Sequence, residues 1–244
     1  RKESSAASDV YKRQTIGNSV FSYCSSLESV IMHNSVTSIT NFTFFHCSSL
    51  EKIEIPNSVT TICEGAFSSC NSLKEIEIPD SLISIGENAF SSCSSLEEIE
   101  IPNSVTTIDE GAFFNCSSLK SVIIPDSVTS IDDSTFRGCS SLEEIEMPNS
   151  VTSIGESAFY ECSSLKSVII TDSVTSIGEK AFYKCSSLQS VIIPNSLTTI
   201  DDSAFENCSS LKYVIIPNSV TSIGKKAFPR NTTIQKFPVN IFQV

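Results

Sequence analysis

The sequence predicts an α/β repeat solenoid, because several features recur together with a period of 23 residues. Cysteine returns at this interval from Cys24 to Cys208, and each of these cysteines is followed by Ser or Asn, then Ser, then Leu. Phenylalanine precedes each cysteine by three residues. A fixed period of this length is typical of a solenoid, in which each repeat forms one coil and buries its apolar side only against its neighbours.

The repeat divides the 244 residues into a tail and one array. Residues 15–244 are predicted to form the solenoid, with nine Cys-marked coils and a degenerate tenth in which Asn231 replaces Cys and Ile234 replaces Leu. Residues 1–14 do not match the repeat, and we expect either a non-native extension or a flexible native leader. Since the array begins and ends in mid-pattern, we expect the chain to be a piece of a longer protein.

Composition excludes several classes of partner. The chain carries 28 acidic and 16 basic residues, a formal net charge of −12. Nucleic-acid binding needs a basic footprint, so no nucleic-acid partner is expected, and anionic membrane surfaces are disfavoured for the same reason. No run of 18 apolar residues is present, so no membrane insertion is expected from this segment, and no signal peptide is visible at its start.

Each coil is predicted to begin with a strand that has one buried face. In residues 96–102, Ile99 and Ile101 alternate with Glu98 and Glu100, which is the period of two expected of such a strand. Pro102 ends the strand because it has no N–H to donate to a ladder. The following Asn and Ser favour a turn.

The second half of the coil is predicted to contain a short helical or irregular turn. Val105 and Ile108 form the next inward pair, and Asp109 is expected to cap a helical segment at residues 110–116. Equivalent residues of successive coils are expected to stack. The predicted aromatic spine consists of Phe21, Phe44, Phe67, Phe90, Phe113, Phe136, Phe159, Phe182, Phe205 and Phe228.

This repeat resembles a known family. The unit Ile-Pro-Asn-Ser-Val-Thr-x-Ile-x-x-x-Ala-Phe-x-x-Cys-Ser-Ser-Leu-x-x-Val/Ile-x is similar to the treponemal-type leucine-rich repeats of the BspA-like surface proteins, over residues 16–239. The resemblance implies a right-handed solenoid with its parallel strands on the concave face and its turns on the convex face. It also implies surface display and adhesion to host or matrix proteins, although no secretion signal or anchor is visible here.

The periodic cysteines are predicted to be buried, reduced thiols that pack as small apolar residues. Adjacent coils lie about 4.8 Å apart, whereas a disulfide prefers a Cβ separation of about 3.8 Å. The sequence also lacks the close Cys pairs that zinc sites usually show. Disulfides remain the alternative. Cys63 occupies a turn position that holds Gly86 in the next coil, and it is either sequence drift or an exposed reactive thiol.

The sequence offers no catalytic constellation. His33 and His46 are interpreted as surface or turn residues, because the adjacent side chains of His46 and Cys47 point apart. The glycines are isolated, so no phosphate-binding loop is present. We therefore expect no enzyme, no catalytic residue, no metal and no cofactor.

The outward strand positions are the candidates for binding, because they differ most between coils. They divide into a carboxylate cluster and an apolar group: Glu75, Glu77, Glu98 and Glu100, and then Ile169, Ile192, Tyr213 and Ile215. Stacked like charges destabilise a ladder, so the glutamates either await a basic partner or a cation such as calcium, or form a solvated acidic face. The isoleucines are either an interface or β-branched residues that favour strands.

The resemblance, taken with these outward residues, implies a non-enzymatic, adhesin-like solenoid that binds host or matrix proteins through its concave sheet, at the cell surface or outside the cell. The alternative is an intracellular or structural scaffold, in which the array is a spacer and this segment binds nothing. Unbridged cysteines are typical of a reducing compartment, which favours the intracellular alternative, although burial also protects thiols from oxidation elsewhere.

Overall fold

Most 23-residue units contribute two short strands, and the strands of successive units pair in parallel to build a solenoid of about nine turns. The computed structural model describes residues 16–237. The tail predicted at residues 1–14 lies outside the described residues, as do residue 15 and residues 238–244. The predicted repeat solenoid is confirmed, whereas the α/β class is wrong because the described residues contain no helix; of the two alternatives for the turn half, helical or irregular, the structure has the irregular one.

The first strand of a coil has one buried residue between two exposed ones, as the alternation predicts. In Glu98–Glu100 the middle residue, Ile99, is buried and both glutamates are exposed. We call these elements face strands. They are β1 (Ser29–Ile31), β3 (Lys52–Glu54), β6 (Glu98–Glu100), β8 (Ser121–Ile123), β10 (Glu144–Glu146), β12 (Ser167–Ile169), β14 (Ser190–Ile192), β16 (Tyr213–Pro217) and β18 (Thr233–Phe237).

The second strand is a two-residue element at the next corner of the coil, and its Ile is buried in all but the last coil. We call these elements corner strands. They are β2 (Ser38–Ile39), β4 (Thr61–Ile62), β5 (Ser84–Ile85), β7 (Thr107–Ile108), β9 (Ser130–Ile131), β11 (Ser153–Ile154), β13 (Ser176–Ile177), β15 (Thr199–Ile200) and β17 (Ser222–Ile223).

Strand pairing preserves the 23-residue offset, so equivalent residues lie side by side. Ile99 of β6 pairs with Val122 of β8, which pairs in turn with Ile145 of β10. The last pair differs, because Val214 of β16 is opposite Ile234 of β18. The degenerate tenth coil is therefore three residues shorter than the others, and Ile234 takes the level of Val214 rather than that of the repeat leucine.

The turn half of the coil is not helical, and the described residues contain no helix. In the segment predicted as a helix, alternate N–H groups donate to the next coil: Gly111 to the Asp133 carbonyl (3.0 Å) and Phe113 to the Thr135 carbonyl (2.9 Å). The N–H of Phe114 instead donates three residues back, to Gly111 (2.9 Å). An α-helix needs each N–H to donate four residues back, so this pairing between coils excludes it.

Backbone conformation supports the same correction. Two residues of each full turn, four apart, have positive φ, as at Gly111 (61°) and Asn115 (56°). Left-handed residues end an α-helix rather than continue it. Asp109 does not cap a helix, and its N–H donates to the Ile85 carbonyl at 3.0 Å.

The predicted aromatic spine is confirmed. Rings from Phe44 to Phe205 are fully buried, and Phe21 at the first coil is half-buried. Successive rings stack with centroids 5.0–5.5 Å apart along the whole spine. Each ring therefore fills the space between the rings of the two neighbouring coils.

The cysteine ladder beside the spine is unbridged and buried from Cys47 to Cys208, whereas Cys24 is exposed. Each buried thiol donates to the carbonyl of the Phe in the preceding coil, for example Cys70 to Phe44 at 3.2 Å. The same carbonyl accepts the N–H of Cys47 at 3.0 Å. Burial raises the pKa of the Cys47 thiol to about 11, with the neighbouring Cys24 adding to the shift. These thiols are protonated and structural. Cys63 is half-buried and lies 3.4 Å from the Ser38 hydroxyl.

Candidate binding face

The outward side chains of the face strands form one surface, which we call the strand face. Alternation places the first and third residue of each three-residue face strand outward, because the middle residue packs in the core. All eight residues predicted to bind lie on this surface and are exposed. Their role in binding stays a prediction.

The acidic patch, Glu75, Glu77, Glu98 and Glu100, lies on two successive coils. Among residues 16–237, no Lys or Arg forms an ion pair with any of these four carboxylates. The column just before the strands differs, because Glu97 pairs with Lys120 and Glu143 with Lys166, each at 2.5 Å. Those hydrogen bonds lower the pKa of both glutamates. The negative charges of the acidic patch therefore have no ion-pair partners within the described residues, whereas Glu97 and Glu143 in the neighbouring column do.

The ladder of face strands is interrupted at the acidic patch. Residues 75–77 form no regular strand, and their one described pairing is an isolated bridge between Glu77 and Glu54. Glu77 has glutamates at the equivalent positions on both sides, Glu54 and Glu100, whereas Glu75 has Lys52 on one side and Glu98 on the other. In the sheet of β6, β8 and β10, by contrast, Ile123 separates Glu100 from Glu146 and the ladder is complete. Like charges directly opposite one another destabilise strand pairing, which favours the separation of Glu77 from Glu100 but does not account for the bridge that Glu77 keeps with Glu54.

Charge does not explain every interruption of the ladder. The ladder also stops between β10 and β12 and between β14 and β16, where no two glutamates face each other. In those places both strands remain regular. Among the described full coils, the one that contains residues 75–77, which we call coil 4, has no regular face strand.

A groove of 670 Å³ lies over the interrupted ladder. All four carboxylates of the acidic patch line it, together with Asp80. Its apolar lining includes Ile78, Ile101 and Ile123. The sequence predicted the carboxylates, but the groove was missed, because it follows from the loss of one strand and not from a residue pattern.

The isoleucine patch, Ile169, Ile192, Tyr213 and Ile215, lies at the other end of the strand face. Ile169 of β12 and Ile192 of β14 are direct strand partners, with 62% and 60% of each residue exposed. Tyr213 and Ile215 are less exposed, at 45% and 43%, because β18 pairs alongside β16 and the Tyr213 hydroxyl bonds the side chain of Gln235. Three coils separate Glu100 from Ile169, roughly 14 Å at the usual strand spacing. The structure therefore presents two separate patches on one face.

Two exposed isoleucines outside the predicted set also lie on this face. Ile123 is 63% exposed at the border of the groove, and Ile31 is 93% exposed in the first face strand. Both follow the same Ser-Val-Ile pattern as Ile169, so the alternation that identified the isoleucine patch also identifies them.

The remaining candidate residues form no site. His33 and His46 are exposed, and the ring of His46 stacks on Tyr23 with centroids 5.1 Å apart. Within residues 16–237, no three His, Cys, Asp or Glu side chains converge in a way that would hold a metal ion. The part of the chain that the structure describes contains no helix with the length and apolarity needed to cross a bilayer.

Comparison with known proteins gives a consistent result. A family model described as BspA type leucine rich repeat region matches residues 14–143 and 130–242. The chain is similar to a leucine rich cell surface protein from Faecalibacterium prausnitzii, with 31% identity, a TM-score of 0.61, and coverage of 86% of this chain and 68% of the other.

Two further solved structures share the fold. The leucine rich repeat protein of T. pallidum is 32% identical, with a TM-score of 0.58 and 71% of each chain covered. A leucine-rich repeat protein from Bacteroides ovatus is 26% identical, with a TM-score of 0.55, and 92% of this chain and 87% of the other are covered. A search of curated protein sequences found no match.

Proposed function

Because the chain belongs to the BspA-type leucine-rich repeat family, we propose that it is a non-enzymatic, surface-displayed solenoid that adheres to host or matrix proteins through its strand face. The name of the Faecalibacterium relative, a cell surface protein, supports the proposed location. Repeat solenoids in general use their extended surfaces to bind other proteins, which also supports the proposal.

The isoleucine patch is the observation that carries this proposal. Ile169 and Ile192 stack as strand partners while most of each side chain remains in contact with solvent. Clusters of large apolar residues on a surface mark interaction sites more often than isolated ones do. The fold does not require isoleucine there, because β6 and β10 form the same kind of strand with glutamate at the third position.

Tyr213 strengthens the assignment of an interface. An aromatic ring with a hydroxyl gives a binding surface both apolar area and a hydrogen-bonding group, and tyrosine is enriched at interfaces. The acidic patch adds long-range attraction for a basic partner, which raises the rate of association more than the final affinity. Stability of the array and recognition by it would then depend on opposite faces of the same strands.

The test is solid-phase binding of residues 15–244 to immobilised fibronectin, fibrinogen and a collagen. A triple variant, Ile169→Glu/Ile192→Glu/Ile215→Glu, should lose saturable binding while its far-UV circular dichroism stays unchanged. The matched control is Thr152→Glu/Thr175→Glu/Thr198→Glu, which adds the same charge at exposed positions beside the corner strands. Equal loss in both variants would contradict a specific interface, and no binding by the wild type would favour the scaffold alternative.

A further inference from the structure

We propose that the groove over the acidic patch is a docking site for an extended segment of another protein in which basic and apolar residues alternate. This inference rests on the proposed function, because it names the partner class for one part of the same strand face. It concerns the groove between residues 75–77 and β6, and the isoleucine patch lies outside it.

The floor of the groove supplies the apolar part of the site. Ile78 lines the groove and is only half-buried, packed against the core from one side. Its equivalents in the coils from Ile55 onward are buried: Ile55, Ile101, Ile124, Met147, Ile170, Ile193 and Ile216. Ile123 adds an exposed apolar side chain at the border. The loss of the face strand in coil 4 thus uncovers apolar surface that every later full coil buries.

The rim of the groove supplies the charge. Five carboxylates line it, the four of the acidic patch and Asp80, and none of them forms an ion pair within the described residues. The surroundings reinforce this field, because residues 16–150 contain 19 acidic and 4 basic residues. A cationic segment is the complement of this rim, and an anionic or neutral one is not.

The geometry of strands favours an extended occupant. Glu98 and Glu100 are two residues apart on β6, which is roughly 6.6 Å along a strand. Side chains of an extended segment repeat at the same interval, so successive basic residues meet successive carboxylates. Lys and Arg carry apolar stems that pack on isoleucine while their charged ends stay at the rim.

The experiment measures fluorescence anisotropy of a labelled peptide of alternating Lys and Val, titrated with residues 15–244. The decisive comparison uses Glu98→Gln/Glu100→Gln against Glu144→Gln/Glu146→Gln. Both pairs remove two carboxylates from the same three-stranded sheet, and only the first pair borders the groove. We expect at least a roughly tenfold weaker affinity for the first variant and less than a roughly twofold change for the second. Equal weakening by both variants would overturn the proposal, since it would indicate attraction to net charge.

The apolar floor is tested with Ile123→Ser against Ile169→Ser. These residues have the same sequence context and nearly equal exposure, and only Ile123 borders the groove. We expect weaker peptide binding for Ile123→Ser alone. A Lys-Ser peptide that binds wild type as tightly as the Lys-Val peptide would overturn the role of the floor. Unchanged thermal melting of all four variants ensures that the comparison reports binding.

Other occupants give distinguishable outcomes. Calcium that displaces the peptide from wild type at low concentration would overturn the proposal in favour of a cation site. Self-association in sedimentation that Glu98→Gln/Glu100→Gln abolishes would assign the groove to a second copy, whose residues 207–237 carry five basic and no acidic side chains. If the protein binds matrix proteins but not the peptide, this inference alone is overturned. If it binds the peptide but no matrix protein, only the adhesion proposal is overturned.

Discussion

Removal of one spine ring in the middle of the array should destabilise the solenoid strongly. In Phe136→Ala the lost ring is fully buried and lies between Phe113 and Phe159, with a centroid distance of 5.5 Å to each. Truncation of buried Phe to Ala costs about 3–5 kcal/mol, which includes the cavity left behind. Stacking contacts contribute about 0.5–1.5 kcal/mol beyond area. Since the neighbouring rings are fixed by their own coils and collapse poorly into the cavity, we expect about 4 kcal/mol, within that range.

Urea unfolding of residues 15–244, followed by far-UV circular dichroism, measures this loss. Phe114→Ala is the matched control, because the adjacent ring is half-exposed at the surface of the turn and should cost about 1 kcal/mol. Phe21→Ala removes a half-buried ring with one stacked neighbour and should fall between the two. A free energy of unfolding for Phe136→Ala within about 1 kcal/mol of wild type would refute the account of the spine as the core.

Three further predictions concern the thiols and the turns. Ellman titration of unfolded, non-reduced protein should detect ten free thiols, and in native protein Cys24 and Cys63 should react first; eight or fewer in the unfolded protein would indicate disulfides. Because folding raises the pKa of Cys47 from 9.0 to about 11, its contribution to stability is complete below pH 9 and is lost as the pH rises to 11. The urea midpoint should therefore fall across that window, and a flat midpoint would contradict the buried thiols. Ser92→Gly, at φ 60°, should stabilise by up to about 1 kcal/mol in the same assay, because it relieves left-handed strain. Ser91→Gly, at an ordinary φ, should destabilise, and the opposite order would contradict the turn geometry.

Much of the fold could be predicted from the sequence because the determining signals are local and repeated. The alternation of Ile99 with Glu98 and Glu100 identifies the buried side of the face strand from three residues. The period of 23 residues then extends that assignment to every full coil. The same reasoning placed the spine phenylalanines and the ladder cysteines inside, where the structure has them from Phe44 and Cys47 onward, whereas Cys24 in the first coil is exposed.

The helix at residues 110–116 was wrong because its decisive partners lie in another coil. Ala112, Phe113 and Cys116 have a spacing that fits one face of a helix, and no residue within the segment opposes it. The N–H groups of Gly111, Phe113 and Asn115 nevertheless donate to residues in the next coil. The two left-handed positions of the coil are occupied by Gly, Asn, Ser, Lys and even Phe42 and Tyr23. The residue types at these positions therefore do not indicate a left-handed turn.

The site could be predicted in part. The outward identities follow from alternation, and the structure leaves the predicted side chains exposed. The groove could not be predicted, because it depends on how the backbone of residues 75–77 responds to the glutamates on both sides of Glu77. The repulsion between opposed glutamates indicates that strand pairing is weakened at Glu77. It does not indicate whether the strands separate or a nearby basic side chain offsets the repulsion.

Comparison between coils indicates that folding does not require the acidic patch. Coils with Ser-Val-Ile, such as β8 and β12, form regular face strands and bury the same middle residue as coils with Glu-Ile-Glu. Isoleucine or serine at Glu75 and Glu77 would therefore preserve the core and is expected to restore the interrupted ladder. The chain instead places Glu54, Glu77 and Glu100 at equivalent positions of three successive coils, and the described pairing of residues 75–77 is one isolated bridge between Glu77 and Glu54. Positions that depart from the regular pattern of a fold are often functional, so this departure supports the docking proposed for the acidic patch.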